Sequence, residues 1–266
     1  MLAGKTALIT GGSGHMGAGI ASEFLAHGAA VMITGRNARR LSDTVQELAT
    51  AIPGAQVASI NGDAVDQTHW HDAVRAAIDT FGSLDILVNN AATDTEIGPL
   101  MQADLNEVLP MFDLNVVAPV GFTQAAYRHW MHQHGGSVIN LVSGFAFTTS
   151  KFLALTGASK AALAALTKEL ALELGPNIRV NAISPGLIDV GPDRIAQLGG
   201  QTVFTNLTNT YPIPHPGKPA DIGKAAVFLA SDNAAWITGA ILPVDGGYLV
   251  NPPSRKLETT LHQHNA

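Results

Sequence analysis

The sequence predicts an α/β fold: a single domain on a mostly parallel, doubly wound sheet of seven strands, with helices on both faces. Three observations lead there. Seven short apolar runs alternate with longer stretches of helical patterning. Such alternation calls for crossover connections, which make a sheet parallel and cover both of its faces. The chain has 266 residues, 46% of them hydrophobic and 14% charged. That is enough to fill one large core, and no linker, repeat or low-complexity run divides it.

In chain order, the expected strands are 5–10 (KTALIT), 30–34 (AVMIT), 56–60 (QVASI), 84–88 (LDILV), 137–142 (SVINLV), 178–183 (IRVNAI) and 240–244 (AILPV). Each is short and apolar enough to be buried on both faces. Helices are expected at 16–27, 38–51, 67–81, 105–132, 156–174 and 220–230, several with apolar residues recurring at the helical period. The single domain spans 1–250, with 187–219 as a segment covering the substrate. Residues 251–266 form a polar tail, either loose or crossing to a neighbouring subunit.

Composition excludes several classes. The net charge is −6 and no long basic cluster is present, so nucleic acid and anionic membrane surfaces are not expected partners. With no cysteine, disulfides and thiolate chemistry are out. The N-terminus lacks a signal-peptide layout, and no apolar run reaches the ~20 residues of a membrane span. A cytoplasmic protein acting on a small molecule is the expectation.

In a doubly wound sheet, ligands bind outside the carboxyl ends of the strands. There, TGGSGHMG at 10–17 follows a strand and opens a helix. Glycines admit a phosphate close to the backbone, and the following helix offers free N–H groups and the positive end of its dipole. This Rossmann-type arrangement makes Gly11, Ser13, Gly14, His15, Met16 and Gly17 candidate cofactor contacts. His15 has two readings: a side chain that reaches a phosphate or the substrate, or an outward one using only its backbone N–H. After the second strand comes Arg36, where a carboxylate would favour NAD. An arginine suits the 2′-phosphate of NADP, so NADP is expected over NAD. Asp63 and Ala64, after the third strand, are placed to touch adenine.

These residues, with NNAA at 89–92, Asn115, Ser143, Lys160, SPG at 184–186 and VDGG at 244–247, stand in one order. Over residues 5–248 the chain resembles the short-chain dehydrogenase/reductase family. The resemblance implies a nicotinamide cofactor lying across the sheet, touched also by Asn90, Ala91, Pro185, Gly186 and Ile188. It implies Lys160 on the nicotinamide ribose, Asn115 supporting a water chain to Lys160, and Ser143 holding the substrate oxygen. Homotetramers or homodimers are the implied assemblies.

One position departs from the pattern. The family places a tyrosine four residues before the lysine, and this sequence has Thr156. A phenol titrates near ~10 and an aliphatic hydroxyl nearer ~15–16, a gap of about 7 kcal/mol in intrinsic acidity. Thr156 therefore cannot take over the acid's role. The 2,4-dienoyl-CoA reductases carry a tyrosine eleven residues upstream of this position, where the present chain has Phe145. Asp94, Glu96, Tyr211 and water on Lys160 are the candidate replacements. His129, His132 and His134 crowd one helix end; a polar helix end accounts for them and no metal is expected. The leading reading is an NADP-dependent oxidoreductase reducing a carbonyl or an activated C=C of a small to medium, largely apolar substrate. The alternatives are non-redox lyase, dehydratase, isomerase or cyclase chemistry, an NADPH-binding protein without turnover, and a Tyr-to-Thr variant of an ordinary member.

Overall fold

The computed structural model describes residues 1–93, 99–149, 153–197 and 199–250. Its sheet has seven strands: β1 (Thr6–Thr10), β2 (Ala30–Gly35), β3 (Val57–Asn61), β4 (Ile86–Asn89), β5 (Gly136–Leu141), β6 (Ile178–Pro185) and β7 (Ile241–Val244). They lie in the order β3-β2-β1-β4-β5-β6-β7, and every ladder is parallel. The chain starts in the centre, winds out to β3, returns to β4 beside β1 and winds out the other way. The reversal between β1 and β4 opens the crevice in which such sheets bind ligands.

Alternate residues of one strand feed two cores. Ala7 and Ile9 of β1 pack with Ile20 and Phe24 of helix α1 (His15–Ala26), Leu41 of α2 (Ala38–Ala51), and Ile222 and Val227 of α8 (Pro219–Ala230). Leu8, between them, packs with Trp70 and Val74 of α3 (Gln67–Phe81) and with Phe122 of the long helix α4 (108–134). The period-2 alternation of strand side chains thus builds a layer on each face. Helix α5 (Ala154–Leu174) covers the second face near β5 and β6, where Leu163 and Ala164 pack on Val142 and Ala182.

Local chemistry sets the helix ends. Asn37 Oδ1 accepts from Arg40 N at 3.0 Å to open α2, and Asp66 Oδ1 accepts from Thr68 N at 2.9 Å to open α3. Gly82 closes α3 at φ +87°, a conformation that favours glycine. Asp221 accepts from the Lys218 N–H at 2.8 Å while Pro219 starts α8. At the other end of α8, Arg179 of β6 donates to the Leu229 carbonyl at 2.7 Å.

The expected elements are present, with shifted bounds. The helix expected over 105–132 opens as a 3-10 turn, Leu105–Glu107, and continues over 108–134 through π turns at Asp113–Val117 and Tyr127–Met131. Pro119 has no N–H for the carbonyl of Asn115, so a regular ladder cannot run through this stretch. The covering segment contains two short helices that periodicity did not reveal, α6 (Pro192–Gln197) and α7 (Gln201–Thr208). No described helix is long and apolar enough to cross a membrane.

Helices α3 and α4 approach closely at Gly121, where a Cβ would collide with the Trp70 ring. The indole cannot easily yield, because its Nε1 donates to the Ala64 carbonyl at 2.6 Å. Gly121→Ala is expected to destabilise the fold by about 1–3 kcal/mol through overpacking, read as a lower urea midpoint with an unchanged slope.

Candidate active site

The glycine loop is built from the end of β1. The Thr10 hydroxyl accepts the backbone N–H groups of Asn90 and Ala91, both at 3.0 Å, and Asn90 Nδ2 donates back to the Thr10 carbonyl at 2.9 Å and the Gly11 carbonyl at 3.2 Å. Gly11 stands at φ +65°, and a Cβ there would lie 2.9 Å from Ala91 Cα. A Cβ on Gly12 would collide with Ile33, and one on Gly17 with the Gly11 carbonyl. The loop is therefore held in a conformation that only glycines fill. Gly14 caps α1 without a side-chain hydrogen bond, so the first turn, His15 to Gly17, presents N–H groups to an anion.

The sequence placed Ser13 and Arg36 here. The structure adds Arg40, which sequence reasoning missed. Arg40 Nη2 donates to the Ser13 carbonyl at 3.1 Å. Arg36 is exposed at the end of β2, and a Cβ on neighbouring Gly35 would lie 3.3 Å from Ser13 Oγ. The spacing of four between the arginines was the available signal. Met16 packs its side chain against the core beneath the loop, leaving its backbone for a ligand. The His15 side chain is exposed, and its Nε2 would lie 3.2 Å from a Cβ on Gly191. The ring thus faces the covering segment.

After β3, Asp63 Oδ1 accepts from Val65 N at 3.2 Å, and the Ala64 carbonyl is taken by Trp70. Behind them, His69 Nε2 lies 2.6 Å from Thr34 Oγ1. Burial lowers the His69 pKa, against an opposing pull from Asp66, Asp72 and Asp63.

At the other end, Lys160 is 5% exposed and its Nζ donates to the Leu141 carbonyl, the last residue of β5, at 2.9 Å. A lysine this buried is held by such a bond. Two residues on, Ser143 is half-buried, and its Oγ accepts from Phe145 N at 3.3 Å, which leaves the hydroxyl proton to be donated. Asn115, fully buried in the first π turn, accepts from Thr93 N at 3.0 Å and donates to the Thr93 carbonyl at 2.8 Å and to Ser159 Oγ at 3.1 Å. Ser159 Oγ donates to the Thr156 carbonyl at 2.8 Å. Asn115 thus fastens the stretch after β4 to the first turns of α5. The Thr156 side chain is buried, with its hydroxyl 4.0 Å from Met111 Sδ.

Pro185 ends β6; the Gly186 N–H reaches the Val244 carbonyl at 3.0 Å, and Ile188 bridges to Gly217. Tyr211 and Tyr248 face each other at 5.5 Å between ring centroids, and Tyr248 also meets Phe145 edge-on at 6.1 Å. The Tyr248 hydroxyl pairs with Thr148 Oγ1 at 3.2 Å. Burial, with Tyr248 and Asp245 nearby, pushes the Tyr211 phenol well above its usual pKa, the wrong direction for a proton donor. It serves better as a wall. Asp94 and Glu96 lie outside the described residues, as does the 251–266 tail.

Comparison with known proteins bears on this geometry. The family model described as Enoyl-(Acyl carrier protein) reductase matches residues 13–249. An uncharacterized oxidoreductase of Methylorubrum extorquens is 35% identical over 247 residues, covering 92% of this chain and 98% of the relative. A probable 2,4-dienoyl-CoA reductase of Bacillus subtilis is 33% identical over 251 residues, covering 93% and 98%. The short-chain dehydrogenase/reductase from Serratia marcescens superposes with a TM-score of 0.85 at 35% identity, covering 93% of this chain and 99% of that one. A blue fluorescent protein from a metagenomic library, solved in complex with NADPH, gives 0.82 at 35%, covering 93% and 98%.

The chain belongs to the short-chain dehydrogenase/reductase family. It is an oxidoreductase of that family, which binds a nicotinamide cofactor.

In this short-chain dehydrogenase/reductase, the histidines at the end of α4 diverge. His129 Nε2 lies 2.9 Å from His71 Nδ1, the His132 ring lies 4.8 Å from that of Tyr127, and the His134 ring stacks on Trp130 at 3.9 Å. Among the described residues, no group of three or more His, Asp or Glu could hold a metal.

His69 generates a pH dependence. Its folded pKa lies below the unfolded value of 6.5, so below about pH 6.5 the unfolded chain binds more protons than the folded one. Its stabilising contribution is complete above that value and is lost as pH falls toward the folded pKa. Urea midpoints of the wild type should drop more steeply between pH 7 and 5 than those of His69→Gln. Parallel profiles would show that the Thr34–His69 pair carries no such linkage.

Proposed function

We propose that this short-chain dehydrogenase/reductase is an NADP-dependent reductase of an activated C=C or a carbonyl, acting on a small to medium, largely apolar substrate. The observation that carries this is the buried Lys160 ammonium, anchored on the Leu141 carbonyl one strand-end away from Ser143. A cation held in a buried site acts on developing negative charge more strongly than it would in water.

The residues fit the cofactor. The glycine loop is a cradle that side chains would fill, and Asn90 Oδ1 is a buried acceptor without a partner among the described residues. The N–H groups at 15–17 would hold the pyrophosphate, Ser13, Arg36 and Arg40 the 2′-phosphate, Asp63 and Ala64 the adenine side. Asn90, Ala91, Pro185, Gly186, Ile188 and Lys160 would line the nicotinamide end. When bound, the nicotinamide supplies or takes a hydride. A relative-level parallel supports NADP: the metagenomic structure named above holds NADPH.

The chain's own residues then do three things. Ser143 donates a hydrogen bond to the substrate oxygen, and Lys160 stabilises negative charge there. Asn115, through Thr93 and Ser159, keeps the floor of the site fixed. Thr156 stands where the family's phenolic acid is expected, so a substrate whose negative charge arrives as an enolate suits this site better than a simple ketone. An enolate needs donors at its oxygen, which Ser143 and Lys160 provide, more than a strong acid at position 156. The probable 2,4-dienoyl-CoA reductase of Bacillus subtilis bears the name of a reductase of such conjugated double bonds. Exposed Leu105, Leu109, Leu172 and Trp236 are apolar surface that a homodimer or homotetramer would cover.

Two outcomes test the reading. NADPH consumption should be faster with conjugated enones or enoyl thioesters than with isolated ketones, and Lys160→Ala should lower kcat by roughly 10²–10³-fold. Tight NADPH binding with no consumption across both panels would sink it. Separately, the double variant Arg36→Ala/Arg40→Ala should weaken NADPH by roughly 10-fold or more while leaving NADH nearly unchanged, since a hydrogen bond to a charged group contributes ~1.5–3 kcal/mol. Equal losses for both nucleotides would remove these arginines from the 2′-phosphate.

A further inference from the structure

A second concavity lies away from the strand ends, between α3 and α4. It measures about 590 Å³, opens to solvent, and is lined by Trp70, His71, Arg75, Gln124, Arg128 and His129 among others, a size common for small-molecule sites. The close helix approach at Gly121 makes its floor from the Trp70 indole. Its walls are cationic, on a chain whose net charge is −6.

Helical spacing produces this convergence. His71 and Arg75 are four apart on α3, and Gln124 and Arg128 four apart on α4, so each pair shares a face. His71 and His129 close the cleft between the helices, 2.9 Å apart. Arg75 has a counter-ion in Asp72 at 2.6 Å, and Asp66 caps the start of α3. Among the described residues Arg128 makes no ion pair; its Nη2 makes a long 3.5 Å contact with Gln124 Oε1. The cluster is held against like-charge repulsion: burial first, then His71, Arg75 and Arg128, lower the proton affinity of His129. A cluster that disfavours its own protonation is one an anion would relieve.

We infer that the α3/α4 cleft is a binding site for a small phosphorylated anion, with Arg128 and Arg75 as its guanidinium contacts and the His71–His129 pair as a proton-adjustable donor. Guanidinium forks match phosphate oxygens bidentately, and Thr68, Gln67 and Gln124 line the same cleft with neutral hydrogen-bonding groups. Protonation of His129 makes both nitrogens of its ring donors, so occupancy and proton uptake are linked. The site is independent of the cofactor edge and of the reaction assigned there.

Inorganic pyrophosphate is the probe, titrated calorimetrically into the whole protein and into two double variants. Wild type should bind it, and Arg75→Gln/Arg128→Gln should lose at least 10-fold in affinity. Arg36→Gln/Arg40→Gln, which alters the cofactor edge, should retain the event. Titration in two buffers of different ionisation enthalpy should report proton uptake on binding, reduced in His129→Gln. Because Arg128 is exposed, Arg128→Glu alone is a second test with little risk to folding, and it should give the same loss. No binding at millimolar pyrophosphate, or an affinity unchanged in both cleft variants, overturns the inference. So does loss confined to the Arg36/Arg40 variant, which would place all anion binding at the glycine loop.

Discussion

The site depends on how tightly the end of β1 is bound to the end of β4. One threonine hydroxyl takes two successive backbone N–H groups, and one asparagine amide returns the bond to the carbonyls of Thr10 and Gly11. That exchange brings two strand ends so close that side chains at positions 11 and 17 would run into Ala91 and Asn90, while one at 12 would meet Ile33 of β2. The glycines are a consequence of this closeness as much as of any ligand. With them the turn is sharp, α1 starts at once, and its first N–H groups are directed over the sheet edge. A looser join would leave the loop free to rearrange, and the helix dipole would not point at the crevice.

A buried polar chain does the same for the reacting end. Asn89 of β4 donates to Asn140 of β5 at 2.9 Å, and Asn140 donates to Thr167 of α5 at 3.0 Å. Asn115 adds the tie between the stretch after β4 and the start of α5. These bonds are made away from water, where leaving one partner unmet would cost ~1–3 kcal/mol. They set the position of α5 along its axis and hence the height at which Lys160 meets the end of β5. The Lys160 amine is held against the Leu141 carbonyl dipole at the rim of the core.

Much of this was legible in the residues. The strand–helix alternation gave the layers, because period-2 and period-3.6 patterns bury different faces. TGGSGHMG, Arg36, Asn115, Ser143 and Lys160 made the carboxyl edge of the sheet the candidate site, because dense glycine and a lysine on an apolar helix face are each costly without a use. Arg40 and Tyr248 were not legible. Each matters through a contact with a distant segment, Ser13 in one case and Thr148 in the other, and no local pattern announces such a pairing. The same holds for Tyr211, where a candidate proton donor turned out to be a buried phenol whose surroundings raise its pKa.

The sequence alone determined the fold class and pointed to a candidate nucleotide edge, because these rest on local periodicity and on residue chemistry that no packing can alter. Only the tertiary structure decided what each polar group is bonded to. It turned Asn115 into a clasp on Thr93 and Ser159, set His69 against Thr34 behind the end of β2, and drew His71, Arg75, Arg128 and His129 from two helices into one cleft. Those outcomes follow from helix placement at the scale of a hydrogen bond, and that scale is fixed by close packing across elements far apart in the chain.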